Sequence, residues 1–133
     1  MISQNLSILI AEDDEDDMFI IERSFLNNPN FSKVNLVRNG QEMLDFLQES
    51  DELPDVILTD INMPVLDGIS AIEKMCEDER LQAIPTFFYS TAINPAYQIK
   101  CENLGTKGYL VKPMKIEDFD LIPIQIFSKI SES

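Results

Sequence analysis

The sequence predicts an α/β fold in which a five-stranded parallel sheet carries helices on both of its faces. Five short apolar runs alternate along the chain with five segments whose apolar residues recur at helical spacing. Strands that alternate with helices in this way are typical of a parallel sheet. The length of 133 residues is that of a single domain with one sizeable core. We therefore expect residues 1–133 to form one domain with no separate output domain.

Each strand is predicted from a short apolar run between turn residues. The third run has few polar interruptions, as expected for a strand that is buried on both faces. The fourth is entered through Pro85, which is tolerated at the start of a strand. The predicted strands cover residues 6–11, 33–37, 55–59, 84–89 and 108–111.

The helices are predicted between and after these strands. Their apolar residues fall at helical spacing within residues 18–25, 43–47, 69–76, 95–104 and 115–130. Pro123 lies inside the last segment, and a proline in a helix interior costs ~3 kcal/mol because it removes a hydrogen bond and clashes with the preceding turn. We therefore expect this helix to begin late or to kink at Pro123. The alternative is a strand over residues 121–127.

The composition excludes several classes of function. The chain contains no histidine, which excludes histidine-based general base catalysis, histidine metal ligands and a histidine phosphoryl donor within this chain. Its net charge is -14, from 10 basic and 24 acidic residues. This charge argues against nucleic-acid binding, which needs a basic footprint, and favours cationic partners or metal ions.

The sequence also indicates where the protein works. It has no apolar stretch of membrane-spanning length and no signal-peptide pattern. Cys76 and Cys101 have neither a metal-binding nor a redox spacing. Free thiols indicate a reducing compartment, so we expect a cytoplasmic protein without a membrane partner.

Asp60 ends the most informative stretch of the chain. The buried strand predicted before it stops on this carboxylate, and Pro64 and an Asp67-Gly68 turn follow. Ligand chemistry in open α/β sheets collects at the carboxyl ends of the strands, so Asp60 is placed to be a metal ligand or a nucleophile. The alternative is that Asp60 caps the next helix.

Glu12 and Asp13 directly follow the first strand. In the flavodoxin-like strand order 2-1-3-4-5, the first and third strands are neighbours, which would bring both residues close to Asp60. Three clustered carboxylates repel one another, and at least one pKa should rise unless a cation is present. Mg²⁺ suits such an oxygen-rich site. We interpret Asp16 and Asp17 instead as a solvated helix start.

Two further polar residues are expected at the same edge of the sheet. Lys112 ends the fifth strand, where its ammonium could balance the carboxylates and hold a phosphate oxygen. Ser90 ends the fourth strand and could donate a hydrogen bond to the same phosphate. The alternatives are an ordinary surface lysine and a turn serine.

Together these motifs resemble the receiver domain of two-component response regulators, from the first strand to the fifth helix. Each motif is weak alone, but the ordered set is specific. The separation of 22 residues from Ser90 to Lys112 suits that family and selects Ser90 over Thr91. The motifs are Glu12-Asp13, Asp60, Asn62-Met63-Pro64, Asp67-Gly68, Ser90 and Lys112-Pro113.

The resemblance implies a CheY-like fold and a role for each site residue. Asp60 would accept a phosphoryl group from a sensor histidine kinase or a histidine phosphotransfer protein. Asp13 and Asp60 would bind Mg²⁺ directly, Glu12 would bind it through water, and Asn62 would bind it through its backbone carbonyl.

The resemblance likewise implies how a signal would leave the molecule. Ser90 and Lys112 would hold the phosphoryl oxygens, and Tyr109 would be the aromatic switch residue. The chain would then be a stand-alone switch that contacts a downstream protein target, as a monomer or a phosphorylation-dependent dimer. It would catalyse only its own phosphorylation and dephosphorylation.

Two details refine the resemblance. The Ser90-Thr91 pair and the acidic opening at residues 12–17 are similar to single-domain receivers paired with phytochrome-type sensor kinases. Ala92 occupies a position that tunes the phosphoryl lifetime in the family, and its apolar side chain cannot position a hydrolytic water by hydrogen bonding.

Other functions fit the sequence less well. Phosphatases with an Asp nucleophile usually need a second Asp two residues later, where this chain has Asn62. A carrier of flavin mononucleotide would need a first loop that cradles phosphate, and here that loop is acidic. A receiver that no longer takes phosphate, acting only as an interaction module, remains the alternative, although the acid, hydroxyl and lysine set is complete.

Overall fold

Five parallel strands form the single sheet of the computed structural model, which describes residues 5–91 and 93–132. The strands are β1 (Leu6–Ala11), β2 (Phe31–Val37), β3 (Val56–Asp60), β4 (Thr86–Ser90) and β5 (Gly108–Val111). Their spatial order is β2-β1-β3-β4-β5, which is the predicted order. Predicted and observed bounds agree within two residues, and the third strand extends through Asp60 itself.

The helices begin at side chains that accept hydrogen bonds from their own first turns. Asp14, Asn39, Asp67 and Asn94 cap the first four helices in this way, which satisfies backbone N–H groups that have no partner within the helix. The helices are α1 (Glu15–Leu26), α2 (Gly40–Glu49), α3 (Gly68–Met75), α4 (Pro95–Asn103) and α5 (Leu121–Ser131), and a 3-10 helix (Ile116–Asp120) precedes α5.

The helices cover both faces of the sheet, as predicted. Alternate residues of β1 point to opposite faces, so Ile8 and Ile10 pack with α1 and α5 while Leu9 and Ala11 pack with α2, α3 and α4. Every residue of β3 is buried, which explains why its run before Asp60 has few polar interruptions. The sheet is therefore a central layer between two apolar cores.

Pro123 lies in the first turn of α5, as its third residue. The first four N–H groups of a helix have no acceptor within it, so a proline at this position removes no hydrogen bond. The prediction that the helix begins late is confirmed, and the alternative of a strand over residues 121–127 is wrong.

Among the described residues, no helix is long and apolar enough to cross a membrane.

Candidate functional site

The candidate site lies at the carboxyl edge of the sheet, where β1 and β3 end side by side. Ala11 pairs with Thr59 in the parallel register, so Glu12, which follows β1, lies beside Asp60, the last residue of β3. Glu12 is 0% exposed and Asp60 is 8% exposed. The strand order thus places two carboxylates at a position that is largely shielded from solvent.

Three carboxylates meet at this edge, as the sequence predicts. Glu12, Asp13 and Asp60 each offer an oxygen, and these oxygens lie within 4.8 Å of one another. Asp13 is exposed, so the cluster opens to solvent on its side. Clustered carboxylate oxygens are the ligands that hard divalent cations prefer, and the donor set therefore fits Mg²⁺.

Lys112 is the central cation of the site. Its Nζ lies 2.8 Å from Glu12 Oε1, 2.9 Å from Asp60 Oδ2 and 3.2 Å from Asp17 Oδ2. Its side chain is 7% exposed, so the alternative of an ordinary surface lysine is wrong. Burial alone would lower the pKa of Lys112, but its bonds to Glu12 and Asp60 outweigh burial and raise that pKa.

Asp17 corrects part of the sequence interpretation. It lies in the first turn of α1, as predicted, but its side chain is only 28% exposed and pairs with Lys112. The interpretation of Asp17 as a freely solvated residue is therefore wrong, whereas Asp16 is exposed. The periodicity could not reveal this contact, because it depends on where β5 ends.

Asp60 is an unusually basic carboxylate. Burial raises its pKa from 3.8 to about 6, against the lowering effect of the hydrogen bond and charge of Lys112, and the charge of Glu12 adds to the rise. The backbone N–H of Ile61 donates to its Oδ1 at 2.6 Å. The direction agrees with the expectation that one carboxylate in the cluster would have a raised pKa, but burial rather than repulsion between the carboxylates is the larger cause.

Gly68 holds the backbone of Asp60 against the start of α3. A Cβ atom at Gly68 would lie 2.1 Å from the carbonyl oxygen of Asp60, so a larger residue would push this backbone out of place. The Gly68 N–H donates to the carbonyl of Ile61 at 2.8 Å. Asp67 caps α3 by accepting from the N–H of Ser70, and the alternative that Asp60 is the helix cap is therefore wrong.

The other predicted residues surround this centre. Ser90 is the last residue of β4 and is buried, and the N–H of Lys112 donates to its carbonyl at 2.7 Å. Asn62 is exposed in the loop after β3. Tyr109 is half-buried in β5 and packs against the α2–α4 core. Ala92 lies outside the described residues.

Tyr89 belongs to the site and was missed from the sequence. Its side chain is fully buried, its hydroxyl donates to Glu12 Oε1, and its ring centroid lies 4.9 Å from Lys112 Nζ. Burial, with the nearby charge of Glu12, raises its pKa well above 10, so the hydroxyl keeps its proton at neutral pH. The sequence pattern indicated only that Tyr89 is an apolar position of the fourth strand. Its place directly before Ser90 is the signal that could have identified it.

The chain is similar to known proteins of one family. The family model described as the response regulator receiver domain matches residues 8–122. The response regulator Rre1 of Synechocystis sp. is 30% identical over 120 residues, which cover 90% of this chain and 51% of Rre1. The chain therefore spans about half the length of that relative.

Solved structures match over nearly the whole chain. The phosphorylated cyanobacterial phytochrome response regulator RcpA is 25% identical, with a TM-score of 0.87 over 97% of this chain and 96% of that one. The Mn²⁺-bound form of response regulator Rcp1 is 24% identical, with a TM-score of 0.81 over 92% of each chain, and it shares the fold.

Proposed function

The chain belongs to the response regulator receiver domain family, and we propose that it is a switch which accepts a phosphoryl group on Asp60. One observation carries the proposal. The buried carboxylate of Asp60 ends the central strand with a lysine ammonium 2.9 Å from its Oδ2 and two further carboxylates within 4.8 Å. A nucleophile, a counter-charge and a set of oxygen ligands thus meet at one point.

Asp60 would act as the nucleophile. A carboxylate oxygen attacks the phosphorus of the donor, an acyl phosphate forms, and the bond to the leaving group breaks with its electron pair going to that group. The pKa of about 6 leaves Asp60 mostly ionised at neutral pH, as a nucleophile requires. Lys112 and the Ser90 hydroxyl would then bind the phosphoryl oxygens.

The acidic residues would hold a divalent cation. Glu12, Asp13 and Asp60 supply the clustered carboxylate oxygens, and Asn62 would add its backbone carbonyl. When bound, Mg²⁺ neutralises charge on the transferring group, which is the main contribution of metals in phosphoryl transfer.

The donor would be another protein. The chain has no histidine and therefore cannot carry a phosphohistidine donor of its own. A sensor histidine kinase or a histidine phosphotransfer protein would supply the phosphoryl group, as the family membership suggests. The match to the phytochrome response regulator RcpA supports a phytochrome-type kinase as this partner. The two proteins would meet in the cytoplasm. The chain would have no other enzymatic activity and no nucleic-acid target.

The output would be a change in protein contacts. A phosphoryl group adds about −1.5 to −2 charge and strong acceptor oxygens. Movement of Ser90 towards it would let Tyr109 turn inward and would remodel the face made by α4, β5 and α5. That face would bind a downstream protein or a second copy of the chain.

The test is phosphorylation by acetyl phosphate with and without Mg²⁺, followed by intact mass measurement. We expect the wild type to gain one phosphoryl group only with Mg²⁺, and Asp60→Asn to gain none. A wild type that binds Mg²⁺ but gains no phosphoryl group would contradict the proposal. That result would favour the alternative, a non-phosphorylated interaction module.

A further inference from the structure

The buried contact between Tyr89 and Glu12 has no part in the roles assigned so far. We propose that Tyr89 is a positioning residue for phosphoryl transfer, whose hydroxyl holds the Glu12 carboxylate while Lys112 turns to the phosphoryl group. The inference rests on the proposed function, because it concerns what happens when Asp60 is phosphorylated.

The hydrogen bonds that Glu12 accepts in this structure come from protein groups. It is 0% exposed, so bulk solvent does not reach its carboxylate. Its Oε1 accepts from the Tyr89 hydroxyl and lies 2.8 Å from Lys112 Nζ, and its Oε2 accepts from the backbone N–H of Asp14 at 3.1 Å. Two of these three donors thus share one oxygen.

Lys112 cannot serve every acceptor once Asp60 is phosphorylated. Its ammonium has three N–H donors, and in this structure it contacts three carboxylates, those of Glu12, Asp17 and Asp60. An added phosphoryl group brings stronger acceptors to the atom that Lys112 already contacts. A buried carboxylate oxygen that loses its donor is costly, so Glu12 opposes the movement of Lys112 unless its Oε1 keeps a second donor.

Tyr89 is the donor that can remain. It lies in β4, where it pairs in register with Asp60, and its buried side chain is fixed by the sheet. Its ring also lies 4.9 Å from Lys112 Nζ, a distance at which the ring attracts the cation. The substitution Tyr89→Phe keeps this ring and removes only the hydroxyl, so it isolates the bond to Glu12.

The experiment compares rates of phosphorylation by acetyl phosphate over a series of Mg²⁺ concentrations. We expect Tyr89→Phe to lower the rate at saturating Mg²⁺ about tenfold, as for loss of one hydrogen bond to a charged group. The half-saturating Mg²⁺ concentration should change little, because the ligand oxygens remain. Tyr97→Phe is the matched control on α4 and should behave as the wild type.

The route through Glu12 has its own test. In the Glu12→Gln background the charge that Tyr89 compensates is gone, so Tyr89→Phe should change the rate little. An equal loss in both backgrounds would overturn the inference. So would a wild-type rate for Tyr89→Phe, which would leave the proposed function standing. A wild type that takes no phosphoryl group would instead overturn the proposed function and this inference with it.

Discussion

Asp60 carries its charge at a position where burial disfavours charge. Its pKa is raised from 3.8 to about 6, chiefly by burial, so the folded protein binds this proton more tightly than the unfolded chain does. The stability that this proton contributes is present below pH 3.8 and is lost as the pH rises through about 6. At neutral pH the ionised carboxylate therefore destabilises the metal-free fold.

Asp60→Asn should consequently stabilise the metal-free protein. The raised pKa corresponds to at most about 3 kcal/mol, so we expect a gain of about 1–3 kcal/mol in the free energy of unfolding at pH 7.5. The gain should shrink towards pH 4, where Asp60 is protonated. Urea unfolding at both pH values measures it, with exposed Asp51→Asn as the control. A variant less stable than the wild type at pH 7.5 would contradict this account.

The sequence identified the site residues by chemical type and by position after a strand. It predicted the meeting of Glu12, Asp13 and Asp60 because strand order alone determines which strand ends are neighbours. It missed the contacts of Tyr89 and Asp17, since these depend on how far each side chain reaches across the edge of the sheet. Hydropathy patterns contain no information on that reach.

At the scale of elements, two glycines at helix ends are required for different reasons. Gly68 begins α3, where an added Cβ would lie 2.1 Å from the Asp60 carbonyl oxygen. Gly105 follows α4 with φ of 76°, and an added Cβ would meet no atom within 4 Å. Its N–H donates to Glu102 and that of Thr106 to Cys101, which is the usual glycine-terminated helix end.

Gly68→Ala should therefore cost more than Gly105→Ala. The backbone collision at Gly68 should cost about 3 kcal/mol, at the upper end of overpacking effects. The left-handed conformation at Gly105 should cost only about 1 kcal/mol. Chemical denaturation gives both values, and phosphorylation by acetyl phosphate should slow only in Gly68→Ala, because only there is Asp60 displaced. Equal costs would show that the collision relaxes without strain.

The start of α5 near Pro123 could be predicted from the sequence, but the 3-10 helix before it could not. Sequence reasoning expected a disturbed helix, because it took the helical segment from residue 115 onward. In the structure, residues 116–120 form a 3-10 helix and α5 starts two residues before Pro123. The proline is thus well suited to its position, and the pattern could not indicate the change of helix type because 3-10 and α-helical spacings are similar over one turn.

Pro123→Ala should destabilise the protein, although it removes a proline from a helix. Proline at a compatible position stabilises by about 0.4–1 kcal/mol through the unfolded chain, and Pro123 is also buried. We expect a loss of about 1 kcal/mol, measured by thermal or urea unfolding. Ser128→Pro, in the body of α5, should cost about 3 kcal/mol or more. A gain in stability for Pro123→Ala would contradict the assigned helix start.

At the scale of the whole molecule, charge opposes folding. A net charge of -14 on 133 residues makes the compact state repel itself, and three carboxylates concentrate that repulsion at one edge of the sheet. Lys112 relieves part of this repulsion, but its single ammonium is shared among the carboxylates of Glu12, Asp17 and Asp60. The fold should thus gain stability in two separable ways, through general screening and through specific cation binding.

NaCl and Mg²⁺ should separate these two effects. NaCl screens exposed charges and should raise the unfolding midpoint gradually, to a similar extent in every variant. Mg²⁺ at the same ionic strength should add a further gain that follows site occupancy, about 2.7 kcal/mol at a hundredfold excess over its Kd. Asp13→Asn should lose most of this gain, because exposed Asp13 offers a carboxylate oxygen to the cluster and contributes little packing. Asp16→Asn removes the same charge from the exposed first turn of α1 and should keep the gain.

Equal Mg²⁺ gains in both variants would mean that the cation acts only by screening, and that the three carboxylates do not form a site.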